Sequence, residues 1–229
     1  MAKIHGRHTR IYIDGYDLSG DSNSFEPGYA ADTAEVSGFG DTRKSYVVGL
    51  ADPAIRWQGV FNDSANKIHD VARQRVGSEV MLNAVWGTDQ GKYGVGGTVN
   101  LSEYSVSAPI GGAVAMAASL SGGGGAGIFQ FIQTILGKQS VPSGGDGWNS
   151  GLQSSAGIGG HLQLFQGTGT VILQSSTAIA GPVWTDQVNF GLATAPFAKY
   201  GASAGTVHQY LRAIMSAGAG TAWVGMKRL

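Results

Sequence analysis

Cysteine is missing from the 229 residues, so neither disulfides nor thiolate metal sites are available. Charge is scarce too: 13% of residues are acidic or basic, against roughly 25% in an average globular domain. No run of 18 apolar residues occurs, so the sequence offers no segment to cross a membrane as a helix. The opening Met-Ala-Lys-Ile-His-Gly-Arg-His has no apolar stretch of the signal-peptide kind, and we expect a protein kept in a cytoplasm or released by lysis. Net charge is zero, so no global basic field recruits nucleic acid, and near-neutrality favours self-association over repulsion.

Glycine is abundant, at 38 residues. Each would cost about 1 kcal/mol inside a helix, so a chain this rich in glycine fits short strands and tight turns. The charge is unevenly spread. Residues 1–120 hold ten Lys/Arg and thirteen Asp/Glu, giving −3, while residues 121–229 hold five Lys/Arg and two acids, giving +3. The second part is nearly uncharged, which suggests a separate module.

Arg7–Asp14 reads as an opening strand ending in the turn Asp14-Gly15. Asn23–Tyr29 and Asp32–Gly38 follow as short extended segments, then a long loop from Gly38 to Pro53 carrying Arg43 and Lys44 beside Tyr46, Val47 and Val48. Loops of that length in compact domains tend to be functional. In Pro53–Phe61 the alternation puts Ile55, Trp57 and Phe61 on one face. Ile68, Val71, Ala72 and Val76 then recur at helical spacing, predicting a helix near 64–76, capped by Asp63 or Ser64 and closed by Gly77. Glu79–Trp86 returns to strand, with Val80, Leu82, Ala84 and Trp86 on one face, and Thr98–Ala108 pairs with Ala113–Leu120 across Pro109-Ile110-Gly111-Gly112.

The run Ser121–Gly127 reads as a flexible boundary. Beyond an apolar Ile128–Leu136 and a polar stretch to Gly160, strands are expected at His161–Gln166, Thr170–Ser175, Trp184–Phe190, Gln209–Ser216 and Thr221–Lys227. The expectation is a mainly β chain: 1–121 a β-barrel or sandwich with one flanking helix, 122–127 a linker, 128–229 a small β-sandwich.

Chemistry-bearing motifs are weak. Gly122, Gly124 and Gly127 have dinucleotide-binding spacing, but no strand-to-helix frame surrounds them, and Asp146 follows a turn-rich stretch. Gly201-Ala202-Ser203-Ala204-Gly205 has nucleophile-elbow spacing with His208 nearby, yet no acid follows Asp186, and a loop is the better account. His5 and His8 would point to opposite faces of a strand, and His69 beside Asp70 and Arg73 reads as a solvated helix face. Asp14, Asp17 and Asp21 lack the glycine and terminal glutamate of a calcium loop. No catalytic residue, cofactor site or metal site is expected. An alternative is a glycan-binding module stacking sugars on Trp148, Trp184 and Trp223.

Taken in order, the sequence resembles the major tail (tail tube) proteins of long, non-contractile phage tails. The likeness is carried by Arg10–Gly20, Ser37-Gly38-Phe39-Gly40-Asp41-Thr42, Val48-Gly49-Leu50, Trp57–Phe61, Tyr104–Pro109 with Gly111-Gly112, and Tyr210-Leu211-Arg212-Ala213 with the closing strand to Arg228. The resemblance implies a virion protein of tail-tube type with an appended C-terminal β domain. It implies six subunits to a ring, and stacked rings enclosing a channel through which genomic DNA passes without specific binding. It also implies tail-tip initiator, tape-measure and terminator partners, and no membrane. The family's inter-ring loop falls at Phe39–Asp52, with Phe39, Asp41, Thr42, Arg43, Lys44, Tyr46, Leu50 and Asp52 as candidate contacts.

Overall fold

The computed structural model describes residues 6–40, 42–124, 130–144, 147–151, 153–179 and 183–229, and for Leu50 and Ala51 the backbone alone. Among these residues the chain is mainly β, with one α-helix. A short 3-10 turn (Gly6–His8) leads into β1 (Thr9–Ile13) and β2 (Tyr16–Asp17). Their two-residue connection puts both Asp14 (φ 48°) and Gly15 (φ 84°) in the left-handed region, the conformation an Asp-Gly hairpin favours.

β3 (Ser22–Glu35) and β4 (Tyr46–Val60) are long. The two short segments expected after residue 22 are one strand, and the loop expected between Gly38 and Pro53 is shorter, because Tyr46–Asp52 pairs with Ala30–Glu35 as strand. In the second half of β4, Ile55 and Trp57 are buried and Arg56 and Gln58 exposed, as alternation requires.

Helix α1 (Ile68–Arg75) starts four residues later than the 64–76 expectation. Asn66 takes φ 64°, which breaks any helix upstream, so neither Asp63 nor Ser64 can cap it. Lys67 occupies the cap position without a side-chain bond, while Asp70 Oδ2 accepts the Asn66 N–H at 3.1 Å. Gly77 (φ 79°) follows the helix as expected. His69 is not on a solvated face: its Nδ1 lies 2.6 Å from Tyr104 Oη, and its ring packs on Phe61.

β5 (Glu79–Trp86), β6 (Tyr93–Ser107) and β7 (Ala115–Gly122) complete the first part. The sheet runs β3-β4-β7-β6-β5-β1-β2, all antiparallel, and wraps a core that includes Trp57, Leu82, Val99, Leu101 and Met116, with Ile68 and Val71 of α1 inserted. Ser121 and Gly122 belong to β7; residues 125–127 of the expected linker lie outside the described residues.

β8 (Gln130–Ser140), β9 (Trp148–Asn149), β10 (Ile158–Ser176), β11 (Thr185–Thr194), β12 (Phe197–Ser203) and β13 (Tyr210–Arg228) follow. Where the sequence suggested two pairs of short strands, β10 and β13 are single 19-residue strands paired along their length. Register shifts at Leu164/Gln166 and Thr170/Val171 bend this ribbon. The two ends of β10 then face each other: a Cβ placed on Gly160 would sit 2.9 Å from Phe190 Cζ and 3.5 Å from Leu173 Cδ2. β12 covers the first end and β11 the second, around Leu162, Leu173, Phe190 and Val224. The Gly201–Ser203 segment read as loop is the end of β12.

The two parts share one sheet, because β8 pairs with β6 on one side and β13 on the other. A third cluster (Tyr12, Val85, Ile132 and Trp223, with Phe165 against it) fills the junction. Tyr12 meets Phe165 edge-on at 5.0 Å. Beside it lies a buried polar network. Gln163 Nε2 donates to Met81 O (3.0 Å) and Asn83 Oδ1 (2.6 Å), while Gln163 Oε1 accepts the Gly15 N–H at 2.6 Å. At the rim Lys138 Nζ pairs with Asp17 Oδ2 at 2.5 Å.

Candidate assembly surface

The β3–β4 hairpin splits into two regimes. From Ser22 to Phe25 and from Ile55 to Val60 it belongs to the core sheet, with Phe25 packed on the first core. Beyond Ala54, where the pairing of β4 with β7 stops, the hairpin continues as two strands alone. Every side chain described there from Tyr29 to Asp52 is exposed. Tyr29, Val36, Phe39, Tyr46, Val47 and Val48 put large apolar groups on this arm, and Phe39 at its tip is more exposed (116%) than in a reference extended chain. A lone two-stranded ribbon is marginally stable in water, and a cluster of exposed apolar side chains marks an interaction site.

Local bonds hold the arm's end. The Val36 N–H donates to Ser45 O (2.9 Å), the Ser45 N–H to Ser37 Oγ (3.0 Å), and Lys44 Nζ pairs with Glu35 Oε2 at 2.9 Å. This ion pair is solvent-exposed, so it shapes the turn more than it stabilises it.

The structure brings Phe39, Thr42, Arg43, Lys44 and Tyr46 together at the arm's distal end. Asp41 lies outside the described residues, and the side chain of Leu50 is likewise not described. Asp52 stands at the root, where its Oδ1 accepts the Gly122 N–H at 3.2 Å. Sequence reasoning missed Tyr29, because β3 seemed to end there; the period-two partnership of Ala30–Glu35 with Tyr46–Asp52 is what extends it.

At the opposite end of the same sheet, the β6–β7 turn places Ile110 wholly in solvent (108% exposed), with the Gly112 N–H donating to Pro109 O at 3.2 Å. The arm's pole also carries a cleft of about 400 Å³ between Tyr29, Trp86, Val95, Phe131 and Lys227.

The alternative stacking residues have partners inside the chain. Trp223 is buried and donates from Nε1 to Thr134 Oγ1 at 3.3 Å. Trp148 packs on the second core and beside Gly91. Arg212 lies over the Trp184 ring at 4.1 Å, itself held by Gln174 Oε1 at 2.8 Å. The Ser203 hydroxyl bonds to Ala204 O, and the His208 N–H to Ser175 Oγ. Among the described residues no group of three His, Asp or Glu could hold a metal ion, and no helix is long and apolar enough to cross a membrane.

No family model matches the sequence, and no curated protein matches it. Among solved structures, a chain from the virion of the native gene transfer agent particle is 18% identical, with a TM-score of 0.46 over 56% of this chain and 99% of that one. The SPP1 tail tube subunit is 10% identical, with a TM-score of 0.44 over 57% of this chain and 78% of that one. The SPP1 Dit protein is 8% identical, with a TM-score of 0.34 over 96% and 98%.

Proposed function

We propose that this protein is a non-enzymatic structural subunit that assembles with copies of itself into the tube of a phage-type tail. The observation that carries the reading is the β3–β4 arm: among the described residues, a two-stranded ribbon that pairs with no third strand beyond Ala54 and carries exposed Tyr29, Val36, Phe39, Tyr46, Val47 and Val48. The arm contains Phe39–Asp52, the segment that the sequence resemblance assigns to contact between rings. In this reading six subunits form each ring, stacked rings enclose a lumen for DNA, and initiator, tape-measure and terminator proteins start, measure and cap the tube.

The reading also divides the chain into a tube-forming unit (1–121) and an outer β unit (128–229) joined by 122–127, supported by the two separate large cores. The net −3 of residues 1–120 suits a lumen that repels DNA.

Negative-stain electron microscopy of the purified protein across a concentration series tests this. Hollow filaments or rings are expected, and deletion of residues 37–44 should abolish them. A monomer at every concentration, even with preformed tube ends added as seeds, would overturn the proposal.

A further inference from the structure

The two ends of the first sheet are chemically matched. β6 runs from the cleft, where Val95 lines the wall, to the turn that carries Ile110. The thirteen residues from Val95 to Ser107 span roughly 40 Å as extended chain, so knob and cleft lie at opposite poles and cannot meet within one molecule. Neither feature is satisfied internally. Ile110 touches solvent on all sides, and in the cleft Phe131 stays 70% exposed although it belongs to a paired strand.

Charge follows the same polarity. The cleft holds Lys227, and Arg7 lines the neighbouring hollow beside Trp86. Near the Ile110 turn stands exposed Asp63, two residues after Phe61, whose N–H bonds Val114 O at 2.9 Å. An apolar cleft with Lys227 in its lining thus faces one way, and an apolar knob with Asp63 on the neighbouring segment the other. A cleft of this size falls at the lower end of the roughly 300–1,000 Å³ typical of ligand sites, enough to admit a turn residue rather than a flat surface.

We infer that the occupant of the Tyr29–Trp86–Phe131 cleft is a second copy of this chain, which inserts Ile110 from its β6–β7 turn. The inference rests on the self-assembly reading and deepens it, since it names the two surfaces that meet. Two different patches make a heterologous contact, which propagates head to tail instead of closing as a twofold dimer. The arm of the first copy then lies alongside the copy whose knob it has received.

The absence of cysteine makes the test clean. Ile110→Cys and Phe131→Cys are prepared separately, shown to keep the wild-type urea midpoint, mixed under assembly conditions and oxidised. A disulfide needs Cα atoms within about 7 Å, so it reports direct seating. The expected product is a covalent pair containing one of each variant, with little homodimer, while the double variant gives a ladder. Ile110→Asp should raise the concentration needed for assembly at least tenfold. Filaments by microscopy without mixed disulfides, or Phe131→Cys homodimers in equal yield, or unchanged assembly of Ile110→Asp, would each sink the knob-and-cleft contact while leaving self-assembly standing. Wild type that never assembles would remove both.

Discussion

Asn83 and His161, 78 positions apart in sequence, meet across the junction with Nδ2 and Nδ1 3.2 Å apart, and neither side chain reaches solvent. Asn83 Oδ1 already accepts from Gln163, so the Asn83 amide group is turned to donate and His161 Nδ1 to accept. Among the described residues, the groups facing the imidazole are Asn83, Gln130 and the Tyr200 ring, none of them anionic at neutral pH. The site is built for neutral histidine.

Acid should therefore weaken the junction. Burial lowers the His161 pKa to about 3 from 6.5. The unfolded chain then binds the proton first, so stability is whole above about pH 6.5 and falls as pH drops toward 3. The slope has an upper bound of about 1.4 kcal/mol per pH unit. Urea midpoints between pH 4 and 7.5 should climb for the wild type and flatten in His161→Gln. Equal slopes in the two proteins would refute the assignment.

The Asp17–Lys138 pair should act in a lower window. Burial alone would raise the Asp17 pKa, but hydrogen bonds from Lys138 and Ser19 outweigh it, and the net shift is downward. The contribution is present above the usual carboxylate pKa of about 3.9 and lost as pH falls below it. Because Lys138 is partly exposed, a double-mutant cycle with Asp17→Asn and Lys138→Met should return a coupling of only about 0.2–1 kcal/mol at low salt. It should shrink further in 1 M salt.

Gly15 should tolerate no side chain. Its φ is left-handed, and a Cβ there would run into Phe197 N and Leu164 O of the second part. Gly15→Ala should cost at least ~2 kcal/mol in urea unfolding, since strain and collision add. A cost near zero would mean that the β1–β2 turn does not dock on β10 and β12.

Arm substitutions should separate assembly from folding. Val48→Asp changes a side chain that is 67% exposed and touches no core, so unfolding should move by no more than ~0.5 kcal/mol. Sedimentation should meanwhile show loss of the assembled species. A variant that assembles like wild type would show that this face of the arm makes no contact between copies.

Much of the local structure was readable from residues alone. The Asp-Gly turn, the full extent of β5, the β6–β7 hairpin and the glycine after α1 all follow from short-range chemistry. The long-range partners were hidden. Glu79–Trp86 was read as covered on one face, yet Met81, Asn83 and Val85 are buried on the other by β10, β8 and β13. The nearly unbroken apolar run from Val80 to Trp86 was the available signal, since a strand covered on both faces loses its alternation. Similarly, the strands expected to end at Gln166 and Ser216 do not: Gly167, Gly169, Gly218 and Gly220 lie at the bend of the β10–β13 ribbon, which continues through them. The candidate arm was legible as a region and not as a shape, because Asp32–Gly38 was read as extended while its partner, Tyr46–Asp52, was read as loop.

The position of β13 has a consequence for synthesis. It lies between β8 and β10 at the seam of the sheet, yet every strand it joins is made before it. Until residues 210–228 emerge from the ribosome, β8 and β10 wait with open edges, and the space for Trp223 beside Tyr12 is unfilled. A chain stalled before Tyr210 therefore presents two unpaired strands to its neighbours, and premature termination there yields a sticky fragment instead of a smaller subunit.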